Sequence, residues 1–389
     1  MLVTHVELTD FRNYHSLVLE LGPGSTLIVG SNGQGKTNLV EALGFLSTLG
    51  SHRVPSDHAL VRQNADAGII RVRLEHNERK FLAEVQINRT GANRAQINRS
   101  AIRTRELPRY FSSVLFAPED LALVRGEPSG RRRFIDDLLV LRSPRFSGVI
   151  SDYERVVKQR NTLLKSARAS GARDTQLSTL DVWDERLIAF GAEIISARSA
   201  LVADLTPEVA AAYERIVGAD HGASLANSLS ILSRQDDPDS AGATNDVGEI
   251  ISVAAATTAF TAALDSVRKI ERDRATTLVG PHRDDLIFGL NGLPARGYAS
   301  HGESWSFALS LKLASAELLR RDSSAGDPVL ILDDVFAELD QSRRERLADS
   351  ISSFQQVLIT AAVFDDVPQR LAANVVRIHA GEVVTNGRT

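Results

Sequence analysis

The sequence predicts an α/β fold that is interrupted by a long, mainly helical segment. Near the N-terminus, the apolar run Thr26–Val29 leads into a glycine-rich octapeptide and then into a helical pattern. Near the C-terminus, the apolar run Pro328–Leu332 ends in two aspartates. Between these two regions, from Ser143 onward, apolar residues recur at helical spacing. The two strand-like runs and the helical pattern that follows the first one predict α/β structure, and the middle of the chain predicts a helical insertion.

Composition excludes several classes of protein. A chain of 389 residues with 43% apolar and 24% charged residues has enough material for two or three ordinary globular domains. No run approaches the roughly 18–20 apolar residues of a membrane span, and the N-terminus lacks the pattern of a signal peptide. The absence of cysteine excludes disulfides and thiolate metal sites. We therefore expect a cytoplasmic protein that does not enter a membrane.

The octapeptide fits the phosphate-loop pattern G-x-x-x-x-G-K-[ST]. A strand that ends in glycines and opens a helix points several N–H groups at one spot, where the helix dipole favours an anion. Lysine then reaches the β- and γ-phosphates, and the hydroxyl can ligate Mg²⁺. The alternative is a glycine-rich turn with an incidental lysine. We predict a nucleoside triphosphate site formed by Gly30, Ser31, Asn32, Gly33, Gln34, Gly35, Lys36 and Thr37, with a helix over Asn38 to Leu49 that Gly50 stops.

The second half of that site is predicted at the end of the C-terminal apolar run. Asp333 should lie beside the phosphate loop and hold Mg²⁺ directly or through water. Asp334 is placed to polarise an attacking water as a general base. The alternative, a capped strand, becomes weaker because the phosphate loop occurs in the same chain. A helix is expected to begin near Gln341.

A third motif, Ser300-His301-Gly302-Glu303, precedes the helical pattern Ser304 to Arg320. Serine and glycine at a helix N-terminus again favour an anion. One nucleotide needs only one phosphate loop, so this motif is predicted to cap the γ-phosphate held by another subunit, as in ABC-type ATPases. Alone, the motif is weak evidence, because an ordinary N-capped helix has the same pattern.

The segment between these motifs contains a basic region and two amphipathic helices. From Arg71 to Arg109 there are ten Lys or Arg and four Glu, a balance of +6, on alternating patterns that predict strands with one solvated face. This face either neutralises DNA phosphates or is an ordinary charged surface. Ser233 to Gly248 is predicted to be a polar surface loop, and a helix near Ile251 to Lys269 should return the chain to the first domain. The predicted helical seam consists of Ile150, Tyr153, Val157 and Leu164, and then Leu180, Trp183, Leu187, Phe190, Ile194, Ala197 and Leu201.

Seven stretches of the chain together resemble one family. They are Asp10–Tyr14 (DFRNY), Gly30–Glu41 (GSNGQGKTNLVE), Phe116–Leu121 (FAPEDL), Gly126–Asp136 (GEPSGRRRFID), Val279–Leu286 (VGPHRDDL), Tyr298–Gly302 (YASHG) and Asp333–Asp340 (DDVFAELD). In this order they resemble the RecF family, head-only relatives of the structural-maintenance-of-chromosomes (SMC) ATPases. The middle of the chain, Leu141 to Glu271, carries no motif beyond its helical pattern.

The resemblance implies an ABC-type ATPase head built from both chain ends, with an inserted helical arm. We expect lobe I at residues 1–125 plus 272–389 and lobe II at residues 126–271. It further implies a homodimer that forms on ATP, slow ATP hydrolysis, and binding to single-stranded and double-stranded DNA at gap junctions. The implied partners are RecR, with RecO, and indirectly RecA, which would be loaded for gap repair, replication-fork recovery and the SOS response.

The resemblance also assigns roles to individual residues. Residues 30–37 with Asn38 would bind ATP, and Ser300, Gly302 and Glu303 would contact the nucleotide of the partner. Thr37 and Asp333 would hold Mg²⁺, and Lys36 and Asp334 would be catalytic. Glu303 stands where the family usually has Gln, and Thr360 runs into Ala361-Ala362 without the switch His of transporters. Asp334 is shorter by one methylene than the Glu that ABC transporters have at this position. The shorter base and the missing switch His both favour slow turnover.

Several interpretations stay open at this point. Arg131-Arg132-Arg133 is either a cluster that contacts DNA phosphates, which we favour, or the start of a solvated helix. His282, Arg283 and Asp284 either sense the nucleotide or form a buried polar network. The competing functions are the ATP-binding subunit of a membrane transporter, a nuclease with a further acidic metal cluster, and a structural clamp that binds ATP without hydrolysing it.

Overall fold

The computed structural model describes residues 1–76, 79–170, 178–232, 243–244, 249–322 and 326–384. The chain divides into two compact units. Unit 1 comprises Met1–Leu121, Ala211–Ala219 and Trp305–Thr389, and unit 2 comprises Ala122–Ala210 and Asp220–Ser304. These limits differ from those of the expected lobes, 1–125 with 272–389 and 126–271, which stay a prediction.

The helices are α1 (Lys36–Thr48), α2 (Leu121–Arg125), α3 (Pro128–Arg142), α4 (Phe146–Ser170), α5 (Ser178–Val217), α6 (Val253–Arg274), α7 (Ala295–Tyr298), α8 (His301–Asp322) and α9 (Gln341–Ile351). Helix α1 ends one residue before Leu49, which itself adopts the left-handed conformation with φ of 56°. Gly50 is therefore not the residue that caps this helix. In the part of the chain that the structure describes, no helix is both long enough and apolar enough to cross a bilayer.

The strands are β1 (Leu2–Phe11), β2 (Tyr14–Glu20), β3 (Gly24–Val29), β4 (Ala67–His76), β5 (Arg79–Asn88), β6 (Arg94–Ile97), β7 (Ser100–Ile102), β8 (Ser113–Phe116), β9 (Ser224–Leu229), β10 (Ala243–Thr244), β11 (Asp285–Leu290), β12 (Leu293–Pro294), β13 (Val329–Asp333), β14 (Gln356–Ala361), β15 (Asn374–His379) and β16 (Glu382–Val384). The predicted loop Ser233 to Gly248 lies outside the described residues, except for β10.

A mainly parallel sheet in unit 1 has the strand order β16-β15-β3-β14-β13-β8. Strand β3 pairs in parallel with β14 on one side and with β15 on the other. Parallel strands covered on both faces need apolar residues throughout, and all five residues of β13 are buried. The strands predicted at Thr26–Val29 and Pro328–Leu332 are therefore confirmed. A strand from the first tenth of the chain lies between two from the last tenth.

Gln356 joins the N-terminal strand to this sheet. Its side chain accepts from Val3 N at 2.8 Å and donates to Val3 O at 2.8 Å and to Gly22 O at 2.9 Å. Gln356 is fully buried. Both the oxygen and the nitrogen of this buried amide are thus hydrogen-bonded, as buried polar groups generally are.

The second sheet of unit 1 is antiparallel, with the order β2-β1-β4-β5-β6-β7. On β4 the residues Ile70, Val72 and Leu74 are fully buried, whereas Arg71 and Arg73 point to the other face. The predicted alternation is confirmed. The buried face packs with Leu39, Leu43 and Leu46 of α1 in one hydrophobic cluster, which fixes the helix that follows the phosphate loop.

Unit 2 contains α3, α4, α6, most of α5 and a small sheet of order β10-β9-β11-β12. Helices α4 and α5 are antiparallel, because Arg160 pairs with Asp184 while a Cβ on Gly191 would meet Tyr153. Their connection, residues 171–177, lies outside the described residues. The seam prediction is confirmed at its buried members, which are Tyr153, Leu164, Leu180, Leu187, Ile194 and Leu201.

Candidate functional site

Residues 30–35 form a tight turn between β3 and α1. Gly33 and Gly35 have φ angles of 81° and 114°, in the left-handed region that favours glycine. A Cβ at Gly35 would lie 2.7 Å from the hydroxyl of Tyr14, so a side chain there would push the turn away from its neighbour. The first N–H groups of α1 have no acceptor within the helix. These N–H groups lie at the turn, where they and the helix dipole favour the binding of an anion.

The side chain of Lys36 folds back and hydrogen-bonds to the backbone of the turn. Its Nζ donates to Gly30 O at 2.6 Å and to Ser31 O at 3.2 Å. Burial lowers the pKa of Lys36, while the carboxylates of Asp334 and Asp333 oppose that shift. The cation is therefore held at the centre of the loop by backbone carbonyls that an incoming phosphate could replace.

Asp333 at the end of β13 lies against Thr37 of α1, although 296 residues separate them in the sequence. Thr37 Oγ1 donates to Asp333 Oδ1 at 3.1 Å, and Thr360 Oγ1 donates to the same oxygen at 2.5 Å. Burial raises the pKa of Asp333, and the two hydroxyl donors oppose that rise. A hydroxyl and a carboxylate are hard oxygen ligands, so this pair fits Mg²⁺, which takes its other ligands from phosphates and water.

Asp334 follows β13 in a strained conformation. Its φ is 55°, which a non-glycine residue adopts only when its surroundings hold it there. Its N–H donates to Thr360 Oγ1 at 3.0 Å and to Thr360 O at 3.2 Å. The side chain is only partly buried. A carboxylate in this position can accept a proton from a water molecule in front of the loop.

The turn between β1 and β2 supports the phosphate loop, a role that the sequence did not reveal. Tyr14 Oη donates to Gly35 O at 2.9 Å, and Asn13 Nδ2 donates to Gln34 O at 3.3 Å. Arg12, with φ of 54°, forms a two-pronged pair with Glu41 of α1 at 2.8 and 2.7 Å. Glu41 in the apolar helix was the available signal, because a buried carboxylate needs a cation.

The hairpin of β15 and β16 supports the same loop from the C-terminal side. The N–H of Gly381 donates to Gln34 O at 3.1 Å, and the N–H of Ala380 donates to Gln34 Oε1. A Cβ on Gly30 would collide with the carbonyl of Ile378. Residues from both chain ends therefore fix the shape of the loop.

His52 is a further residue at this site that the sequence analysis missed. Its Nε2 is buried and has no hydrogen-bond partner among the described residues. Burial lowers its pKa, and nearby carboxylates, including Glu119 and Asp333, oppose that shift. Burial thus disfavours the charged form of the ring beside the acidic side chains of the site.

Ser300 and Glu303 form a capping box at the N-terminus of α8. The N–H of Ser300 donates to Glu303 Oε2 at 2.8 Å, and the N–H of Glu303 donates to Ser300 Oγ at 3.3 Å. This reciprocal pattern is the ordinary function of an S-x-x-E sequence. Gly302 lies within the first turn of the same helix. Whether these residues also contact a nucleotide stays a prediction.

His282 and Asp284 belong to a polar network in unit 2, in which Asp284 is buried and His282 is partly buried, whereas Arg283 is exposed. The Tyr153 hydroxyl lies 2.7 Å from His282 Nδ1, and burial lowers the pKa of His282 to about 3. Asp284 Oδ1 accepts from the N–H and the hydroxyl of Ser230 at 2.8 and 2.7 Å. Burial raises the pKa of Asp284 to about 6. The contacts are those of the buried network; a role in nucleotide sensing stays a prediction.

The favoured interpretation of Arg131-Arg132-Arg133 is wrong. Arg131 is 3% exposed and forms a two-pronged pair with Asp285 at 2.7 and 2.8 Å. Arg132 donates to Asp284 O at 2.7 Å, and Arg133 pairs with Asp137 on its own helix. Arg131 therefore holds α3 against β11 and is not available to phosphates, and Arg132 is partly buried with one donor used by the backbone just before β11. The alternative, the start of a solvated helix, fits only Arg133.

The chain is similar to known proteins over nearly its whole length. A model of the RecF/RecN/SMC N-terminal domain matches residues 2–382. The DNA replication and repair protein RecF of Clavibacter sepedonicus is 65% identical over 390 residues, which are 99% of this chain and 95% of the relative. The chain belongs to the RecF family. The RecF of Leifsonia xyli subsp. xyli is 60% identical over 388 residues, with 99% of each chain covered.

A solved structure of a RecF confirms the fold. The recombination mediator protein RecF with ATPrS, in the RecFOR pathway, aligns with a TM-score of 0.86 and 26% identity over 99% of this chain and 98% of the other. The predicted fold class, an α/β ATPase head of the ABC type with a mainly helical insertion, is therefore confirmed, as is the resemblance to RecF.

Proposed function

We propose that this protein is an ATP-dependent, DNA-binding recombination mediator. The observation that carries the proposal is the meeting of Thr37 and Asp333 at the phosphate loop, 3.1 Å apart. Helix α1, near the N-terminus, supplies the hydroxyl, and strand β13, near the C-terminus, supplies the carboxylate. These are the ligands that the Mg²⁺ of a bound triphosphate needs. The names of the relatives support the proposal, since they are DNA replication and repair proteins and a RecF of the RecFOR pathway studied with ATP. They do not support a transporter subunit.

In this proposal residues 30–37 with Asn38 enclose the triphosphate, and Lys36 turns from its backbone acceptors to the β- and γ-phosphates. Thr37 and Asp333 hold Mg²⁺, which neutralises charge on the phosphate oxygens when it is bound. Asp334 accepts a proton from the attacking water. Ser300, Gly302 and Glu303 approach the γ-phosphate held by a second copy, so ATP drives dimerisation.

Hydrolysis is proposed to be slow and to act as a switch. Asp334 is one methylene shorter than glutamate, and Ala361 follows Thr360 where transporters have a histidine. We expect a turnover number well below the usual enzyme median of about 10 s⁻¹, with stimulation by DNA. The helical arm, residues 126–271, and the head, residues 1–125 with 272–389, are proposed as its functional lobes.

DNA would lie on the charged face of the antiparallel sheet. Arg73 and Arg94 are exposed there, and neither has an ion-pair partner within the described ranges. Unpaired cations on a sheet face neutralise phosphates without reading bases, which suits recognition of gap junctions by shape. We further propose that RecR, with RecO, joins the dimer in the cytoplasm, and that RecA is loaded as the outcome.

Sedimentation velocity tests the proposal. Wild type, Lys36→Arg and Asp334→Asn are compared with ATP, with a non-hydrolysable analogue, and with a gapped duplex. Wild type should dimerise with either nucleotide and bind the duplex more tightly as a dimer. Lys36→Arg should stay monomeric, because a planar guanidinium cannot replace the compact ammonium in the loop. Asp334→Asn should form a longer-lived dimer with ATP. A wild-type monomer at saturating analogue would refute the proposal.

A further inference from the structure

Thr360 is a fully buried residue at the end of β14, and its hydroxyl contacts both members of the acidic pair. Thr360 Oγ1 donates to Asp333 Oδ1 at 2.5 Å and accepts from the N–H of Asp334 at 3.0 Å. A hydroxyl has one hydrogen to donate. Because that hydrogen is committed to Asp333, the contact with Asp334 uses a lone pair of the hydroxyl.

The two contacts have different consequences, because one is to the carboxylate of Asp333 and the other is to the backbone N–H of Asp334. Asp333 Oδ1 accepts from both Thr360 and Thr37. If Thr37 turns its oxygen to Mg²⁺, Thr360 remains as the donor that keeps the Asp333 carboxylate in its orientation. The contact from the N–H of Asp334 helps to hold this residue, the proposed base, at its φ of 55° at the end of β13. One side chain thus sets the geometry of the metal ligand and of the base.

We propose that Thr360 is a positioning residue for ATP hydrolysis, which orients Asp333 and Asp334 together. This inference rests on the proposed function. Packing alone would be satisfied by valine, which has the same shape but lacks the donor. Partners of a metal ligand usually contribute about 10–100-fold to activity or metal affinity, because they orient the ligand before the metal binds.

The test compares Thr360→Val and Thr360→Ser with a matched control, Thr26→Val. Thr26 is also a buried threonine, on the neighbouring strand β3, but its hydroxyl has no hydrogen-bond partner within the described ranges. The measurements are single-turnover hydrolysis, KM for ATP, the Mg²⁺ concentration at half activity, binding of a fluorescent ATP analogue without Mg²⁺, and the melting temperature. Thr360→Ala is measured in the same way, as a second variant for the case that valine prevents folding.

Thr360→Val should lower kcat about 10–100-fold and raise the Mg²⁺ requirement, with analogue binding in the absence of Mg²⁺ close to that of wild type. Thr360→Ser should restore most of the activity, because it keeps the donor. Thr26→Val should leave kcat and the Mg²⁺ requirement unchanged. If Thr360→Val and Thr360→Ala match Thr26→Val in both, the inference is overturned. Failure of wild type to bind or hydrolyse ATP would instead overturn the proposed function.

Discussion

His282 and Asp284 lie two residues apart in a buried network, and burial opposes the charged form of both. The pKa of His282 falls from 6.5 to about 3, so between these values the folded state binds fewer protons than the unfolded state. Its contribution to stability therefore rises with pH. The pKa of Asp284 rises from 3.8 to about 6, so its contribution falls as pH rises through that window. The two effects oppose each other over the shared range.

We predict that single substitutions separate these two effects. Relative to wild type, His282→Gln should make the free energy of unfolding fall more steeply with pH between about 4 and 6. Asp284→Asn should make it rise more steeply over the same range, each by up to roughly 1.4 kcal/mol per pH unit. Urea denaturation at several pH values measures both slopes. Changes of the same sign in the two variants would contradict the prediction.

At the scale of elements, the antiparallel sheet shows that arginines on the same strand can differ in whether a carboxylate already pairs with them. Arg71 and Arg73 lie on one face of β4. Arg71 bonds to Glu84 and, at 2.9 Å, to Glu7. Arg73 has no ion-pair partner in the part of the chain that the structure describes. Exposed, unpaired arginines are the ones that can replace counterions along DNA.

We predict that Arg73→Gln with Arg94→Gln weakens DNA binding and flattens its salt dependence. The slope of log K against log salt is negative, and its magnitude should decrease by about 0.9 for each phosphate that the variant no longer neutralises. Arg71→Gln is the control, since it removes one arginine from the same face, but one whose side chain is already paired. Fluorescence anisotropy with a gapped duplex at several salt concentrations measures the slopes. An equal slope for the double variant and wild type would place the DNA elsewhere.

At the scale of the whole molecule, unit 1 can form only when both chain ends meet. Strand β3 lies between β14 and β15, and Gln356 fastens β1 to the same sheet through a contact that spans 353 residues. Gln356→Leu would leave the buried N–H and carbonyl of Val3 and the partly buried carbonyl of Gly22 without this partner. Each orphaned polar group costs about 1–3 kcal/mol.

Gln356→Leu should therefore lower the free energy of unfolding by about 2–5 kcal/mol, as measured by urea denaturation. Gln355→Leu is the control. Gln355 is exposed and its side chain accepts only from the N-terminal ammonium of Met1, at 2.6 Å, among the described contacts. The control should cost less than about 1 kcal/mol. Similar losses in the two variants would show that the buried amide does not fasten the strand.

The sequence alone determined the features that depend on neighbouring residues. The glycine turn before Lys36, the apolar strand that ends at Asp333, the alternation on β4 and the helical seam of α4 and α5 were all predicted. Each follows from a period of side chains along a strand or helix, or from the backbone freedom of glycine. The S-x-x-E pattern at Ser300 was also readable as a helix cap.

Only the tertiary structure decided which polar groups are free and which are paired. Arg131 meets Asp285 across 154 residues, Arg12 meets Glu41, and Thr360 meets both acidic residues at the loop. The charge of a side chain can be read from the sequence. Its partner depends on which distant strands lie side by side. A buried charge must pair within the protein, whereas an exposed charge stays hydrated and can bind a ligand.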